Sequence, residues 1–373
     1  MARGLLIIKT LTPTHPGAGT SLGAIDLMLQ REVTTNFPFI QGSSLKGAIR
    51  GHLENQPVKD KNGLVGELLN EIESYANSKR IESLKNEIKK YQGDSSALPV
   101  FKAREYTRLL IANEDMEDKR KEIEKKYSLL YRILDIVFGP YNPGGNPERS
   151  SLLISDASLL FYPVRTLKGL YALVTCPEIL RRLNMPHIDL KIPDSLLNLN
   201  DKGTVKTLNS TQSKYVINGK VYFEDLNFSI DTVGDGDFNW VKEKLGLDES
   251  IKDRLFVVHN DVFQYFVEFA TQVMSRNKID YATGTVDKKI GGIWTEEHLP
   301  PETYLFSYLE DNGKVVGKIK VKENNLGKEK DASSFEWVAD KLNNNVIHLG
   351  GDETVGKGFA ELRFKKLQEA KNG

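Results

Sequence analysis

The feature that most constrains this chain is residues 12–54, TPTHPGAGTSLGAIDLMLQREVTTNFPFIQGSSLKGAIRGHLE. Pro13, Pro16, Gly17, Gly19 and Gly23 rule out a long regular element in the first half, so 12–23 reads as loop. Asp26 follows, within an imperfectly alternating stretch, 25–34, that reads as strand. After Gln41-Gly42 the pattern turns helical. Ser43 or Ser44 can cap that helix, Leu45, Ile49 and Leu53 share its buried face, and Lys46 and Arg50 stand one turn apart on another. Gly47 and Gly51 leave a third face bare, at about 1 kcal/mol each relative to alanine, which predicts close approach of another backbone. A flexible loop beside a helix N-terminus with two cations suits a phosphate ligand. An ordinary capped surface helix would carry the same residues.

Residues 4–11 read as a buried first strand. From 56 to 126 the chain is charged and helix-periodic, with apolar stripes at Leu64, Leu68 and Ile72 and at Ile81, Leu84 and Ile88. It reads as a helical insertion whose charges are solvated. A Pro- and Gly-rich loop at 139–151 precedes strands at 152–162 and 167–175, and proline opens a helix at 177–183. Residues 184–218 show no period and read as loop or protruding hairpin, and Asn218-Gly219 predicts a type I′ turn between 215–217 and 220–230. Helices are expected at 237–245 and 261–274, the second burying Val262, Phe266, Phe269 and Val273. A second exposed hairpin is expected at 275–293, Glu296 and Glu297 beside Trp294 read as a surface turn, and 304–309 with 314–321 as an edge-like strand pair. A polar loop, a helix at 334–342 and a second glycine-rich loop, 348–358, between strands 346–349 and 359–364 complete the chain.

Strand, helix and strand recur at both ends, which predicts an α+β fold, an antiparallel sheet backed by helices. The 373 residues, 39% of them hydrophobic, suffice for a sizeable core, and we expect one domain, 1–373, carrying the 56–126 insertion, a protruding region at 184–230 and the 275–293 hairpin. Basic and acidic residues balance at 51 each, so nucleic acid is not bound through bulk charge and any polyanion site is local. Cys176 is the single cysteine; it excludes an intramolecular disulfide framework, fits a reducing cytoplasm and reads as a small buried apolar residue. With no apolar run of roughly 20 residues, a soluble cytoplasmic protein with no membrane partner is expected.

HExxH does not occur. In the 348–358 loop, Gly350 and Gly351 could admit a phosphodiester with Lys357 adding charge, or the loop is a tight structural turn. Asp26 could bind a divalent ion or orient a hydroxyl for attack on phosphorus, or serve as a structural hydrogen-bonding residue. His15 is the nearby titrating base, or it packs under Pro13 and Pro16.

Taken together, LTPTHPGAGTSLGAIDLMLQRE, FPFIQGSSLKGAIRGHLE, VFGP, ISDASLLFYPVRTLKGLYALVTCPEIL, VVHNDVFQYFVEFATQV, IWTEEHLPPETYLFSYL and LGGDETVGKGF resemble the RAMP superfamily. More narrowly they resemble the backbone subunit of the type III-B CRISPR effector, the Cmr complex. The resemblance implies a ferredoxin-like, RNA-recognition-type palm with helical insertion and thumb hairpins. It implies copies stacked head to tail along a guide RNA, with other effector subunits, and target RNA cut at regular intervals in antiviral defence. Ser43, Ser44, Lys46 and Arg50 fall on the guide-facing helix, Gly350, Gly351 and Lys357 on the terminal glycine-rich loop, and Asp26 on the cleavage-loop aspartate. The implied activity is a metal-dependent endoribonuclease working within the assembled complex, with Mg2+ or Mn2+ as cofactor and Asp26 as a candidate ligand. The alternatives are a purely structural guide-binding filament subunit, the related type III-A backbone subunit, and a stand-alone guide-processing endonuclease.

Overall fold

The strand Arg3–Thr10 lies inside the largest sheet, because Leu5, Leu6, Ile7 and Ile8 are all buried and such a run needs cover on both faces. Its neighbours are Tyr304–Asp311 on one side and Phe359–Lys366 on the other, both antiparallel, with Ile7 opposite Phe306 and Leu6 opposite Phe364. The computed structural model describes residues 2–20, 25–58, 63–92, 94, 97–140, 149–184, 190, 192–208, 212–280, 283–286, 293–323 and 326–367. Residues 21–24 ahead of Asp26, 141–148 of the Pro/Gly-rich loop, and 281–282 and 287–292 of the hairpin expected at 275–293 lie outside the described residues.

By their contacts the residues fall into two units, Met1–Leu45 with Ile154–Asp311 and Val338–Gly373, and Lys46–Leu153 with Asn312–Trp337. In the first unit, Ala157–Arg165 pairs with Tyr304–Asp311 and completes a four-stranded antiparallel core. The expected α+β class forms around it. Tyr304–Asp311 is not the edge its sequence suggested; its first four residues are buried, and it has a neighbour on each side. Beyond Ala157–Arg165 the sheet continues through Tyr171–Thr175, Leu255–Val257, Thr204–Leu208, Leu226–Val233 and Lys220–Phe223. Two of these contacts are parallel. Thr204–Leu208 therefore lies within the sheet, although the polar stretch around it reads as loop; Val205, Thr207 and Leu208 supply its buried side chains. Asn218 and Gly219 take φ of +50° and +79°. Ile217 and Lys220 exchange both backbone hydrogen bonds, at 2.9 and 3.0 Å, as a type I′ turn requires.

A second, four-stranded sheet of the same unit runs Gln272–Asn277, Ile293–His298, Leu27–Leu29, Gly17–Thr20. Two readings shift here. The segment 12–23 contains the short strand Gly17–Thr20, and the strand read at 25–34 contracts to Leu27–Leu29. The helix read at 261–274 is Asn260–Phe269, and the chain then enters Gln272–Asn277, which pairs residue for residue with Ile293–His298. Pairing overrides the helical period, so Phe269 is left 72% exposed.

The second unit contains helices Leu64–Ser78, Glu82–Gln92, Val100–Ala112, Glu117–Tyr127 and Arg132–Phe138 and the hairpin Val315–Glu323 with Leu326–Ser333. Val65, Leu68, Leu69 and Ile72 form the buried stripe of the first helix and Leu84 with Ile88 that of the second. The second hairpin strand replaces the polar loop read after residue 321.

Candidate functional site

The strand Ile293–His298 organises the candidate site. Successive side chains of a strand alternate between its faces, so Thr295 and Glu297 leave on one side and Trp294, Glu296 and His298 on the other. Thr295 meets Asp26. Its backbone N–H donates to Asp26 Oδ2 at 2.8 Å and its hydroxyl donates to the same oxygen at 3.0 Å. The Asp26 N–H donates in return to Thr295 Oγ1 at 3.1 Å. The Thr295 backbone bond, then its hydroxyl bond, hold the exposed Asp26 carboxyl below the usual carboxylate range. Among the described residues no other side chain or backbone group donates to Oδ1. The result is an ionised carboxylate fixed through Oδ2, with Oδ1 open among the described residues.

Glu296 and Glu297 do not form a surface turn. Both are 2% exposed, and each is drawn into the protein by its own arginine. Glu297 pairs with Arg31 and also accepts from the Thr271 hydroxyl at 2.9 Å and the Leu29 N–H at 3.0 Å. Its backbone carbonyl lies 2.6 Å from His15 Nδ1, so His15 is fixed to this strand and not to Asp26. Glu296 accepts from the Trp294 indole at 2.6 Å and from Arg276 at 3.0 Å, and Arg276 also reaches Asp352. Sequence reasoning missed this network. Two adjacent acids inside a β-prone run, IWTEEH, were the available signal, because a strand must send them to opposite faces.

Glu296, His298 and Asp352 present the donor atoms of a divalent-cation site. The cluster does not fit one, because its cations are already present. Lys357 Nζ stands 3.1 Å from His298 Nε2 and 3.8 Å from Glu296, and Arg276 spans the two carboxylates. Burial first, then the charge of Lys357, push the His298 pKa down. Asp26 offers one carboxylate, a single ligand of the kind that hard ions such as Mg2+ or Mn2+ combine with substrate oxygens and water.

The glycines of the terminal loop serve the chain's own backbone. Gly350 has φ +82°, and a Cβ there would lie 2.4 Å from the His15 carbonyl oxygen. The Gly351 N–H donates to that same carbonyl at 3.1 Å. Lys357 is turned to His298, as above.

The helix Gly42–Glu54 begins ahead of both serines, so neither is its N-cap. Asp156 Oδ1 accepts from the Gly42 N–H at 2.7 Å, so Asp156 does the capping. A Cβ at Gly42 would lie 2.7 Å from the Ile154 carbonyl oxygen, which requires glycine there. Ser43 and Ser44 occupy the first turn and are exposed. Lys46, in the second unit, donates to Ser150 Oγ at 2.6 Å and to the Leu152 carbonyl at 3.1 Å; burial, with Arg50 nearby, pushes its pKa down. Arg50 pairs with Glu54 at 2.9 Å and Asp135 at 3.3 Å and donates to the Gly139 carbonyl. A Cβ on Gly47 or Gly51 would meet no described atom within 4 Å, so the backbone predicted to press on that face is not supplied by the described chain.

The whole span from residue 7 to residue 361 matches the RAMP superfamily. The chain belongs to the RAMP superfamily. This RAMP protein is 28% identical to the CRISPR system Cmr endoribonuclease Cmr4 of Pyrococcus furiosus, over 97% of the present chain and 96% of the relative. It is 21% identical to the CRISPR system CMR subunit Cmr4 of Saccharolobus solfataricus, over 96% and 94% of the two. Its fold is similar to the crystal structure of oligomeric Cmr4 from Pyrococcus furiosus, with a TM-score of 0.55 at 22% identity, covering 99% of this chain and 100% of that one. A chain of the type III-B Cmr-beta complex bound to cognate target RNA gives a TM-score of 0.56 at 19% identity, with 97% and 96% covered. No helix among the described residues of this RAMP protein is long and apolar enough to cross a membrane.

Proposed function

We propose that this RAMP protein is the repeated backbone subunit of a type III-B CRISPR effector, binding guide RNA and cutting the paired target RNA with Asp26. Its similarity along nearly the full length of two Cmr4 proteins, one of them named an endoribonuclease, supports the subunit assignment. The observation that carries the chemistry is the Asp26 carboxylate, exposed, ionised and held through Oδ2 by Thr295.

In a regular A-form duplex the 2′-OH cannot line up with the adjacent phosphate, so the target must be unstacked at the cut. Asp26 Oδ1 then accepts the 2′-OH proton while O2′ bonds to phosphorus, the P–O5′ bond breaks, and the departing O5′ takes up a proton. A target cut this way ends in a 2′,3′-cyclic phosphate and a 5′-hydroxyl. A divalent ion, with Asp26 as its candidate ligand, would supply positive charge against that developing on the phosphate oxygens. Contacts to the guide backbone leave sequence choice to base pairing, which lets one protein serve any guide.

Guide contact falls first to Ser43 and Ser44, which are exposed in the first turn of their helix and can donate hydroxyl bonds to a phosphate backbone. Lys46 and Arg50 would add charge only by exchanging internal partners, and Gly350, Gly351 and Lys357 act by holding the terminal loop in shape. Replacing Lys46 or Arg50 should therefore leave the salt dependence of guide binding nearly unchanged, and a clearly reduced slope would show direct phosphate contact.

The test is the assembled complex carrying Asp26→Ala. Every spaced cut should disappear while target binding persists. Continued cutting at all positions would overturn the assignment of the cut to Asp26. Chelation should abolish cutting and added Mg2+ or Mn2+ restore it; cutting that survives chelation removes the metal from the scheme.

A further inference from the structure

We propose that Thr295 is the positioning residue for Asp26, fixing the carboxylate so that Oδ1 faces the reacting hydroxyl. The proposal rests on the reading of Asp26 as the proton acceptor.

Asp26 is exposed, and an exposed aspartate at the edge of a loop has no packing to select its rotamer. Selection comes from Thr295 alone among the described residues, through three hydrogen bonds. Two converge on Oδ2, and the third returns from the Asp26 N–H to Thr295 Oγ1. The hydroxyl is donor and acceptor at once, so it ties the side chain and the backbone of residue 26 to one atom. The parallel bridge between Leu27 and Glu296 brings the two segments into this register, and Glu297 reinforces it by accepting the Leu29 N–H at 3.0 Å.

Valine and serine separate the hydroxyl from the shape. Thr295→Val keeps the β-branched outline and the backbone N–H but removes both hydroxyl bonds, and Thr295→Ser retains them. Single-turnover cutting by the assembled complex is measured for both variants and for Asp26→Ala, together with complex assembly and target affinity. Thr295→Val should assemble and bind target normally and cut roughly tenfold more slowly. Thr295→Ser should cut close to the unmodified rate. If Asp26→Ala is inactive while Thr295→Val matches the unmodified complex in rate, the positioning role is overturned and the Asp26 reading stands. If Asp26→Ala cuts normally, the Asp26 reading fails and this inference with it. Assembly lost in Thr295→Val and not recovered in Thr295→Ser overturns the inference in favour of a purely structural threonine.

Discussion

Asp135 receives one guanidinium from Arg104 at 2.6 Å and a second from Arg50 at 3.3 Å, while Glu54 faces both arginines. Removing a single member leaves an unbalanced, half-buried charge, which costs more than the intact pairs contribute. Arg50→Ala should destabilise the protein by roughly 2 kcal/mol in chemical denaturation, with Arg50→Lys recovering part of the loss. His298 sets a different condition. It is fully buried and its folded pKa is depressed, so the unfolded chain takes the proton first. Its contribution is complete above the ordinary histidine value, about 6.5, and is lost as pH falls from there toward the folded pKa. Melting temperatures should drop between pH 7 and pH 5, and His298→Gln should flatten that slope. Burial likewise pushes the Cys176 thiol up to about 12, so a thiolate-selective reagent at pH 8 should label it only after unfolding.

At the scale of elements, the terminal glycine-rich loop offers an internal control. Gly350 and Gly356 both adopt left-handed φ, +82° and +77°. Only at Gly350 would a Cβ collide with backbone; at Gly356 it would meet nothing within 4 Å. Gly356→Ala should carry the conformational penalty alone, about 1 kcal/mol, and Gly350→Ala should be clearly worse in thermal melts because His15 cannot move aside without disturbing Glu297. Local signals account for the elements that were legible in sequence. Pro177–Leu183 and Ser334–Leu342 announce themselves through an N1 proline and an apolar period, and Asn218-Gly219 through its turn chemistry. The helix Asn260–Phe269 was over-extended because Val273 continues its period, whereas the strand pairing of Val273 depends on residues 293–298, which no local window contains.

For the whole molecule, the α+β class and a buried first strand follow from the apolar run near the N-terminus, but the strand order does not. Arg3–Thr10 finds its neighbours about three hundred residues downstream, and one of the two parallel contacts, Thr204–Leu208 against Leu226–Val233, enters the sheet from a stretch with no alternation of its own. The candidate site divides in the same way. Asp26 could be singled out by its loop and by family resemblance, while its partner Thr295 is 269 positions away and looks in sequence like any strand threonine. The strand that supplies Thr295 also carries an indole, two carboxylates and an imidazole in consecutive places, each matched to a different group. Sliding that strand by one residue would set Glu296 or Trp294 opposite Asp26, the first placing carboxylate on carboxylate and the second offering no side-chain acceptor to the Asp26 N–H. The arginines would lose their partners in the same step. Misalignment is thus rejected by charge as well as by shape, and the chain proofreads the one pairing on which its candidate chemistry depends.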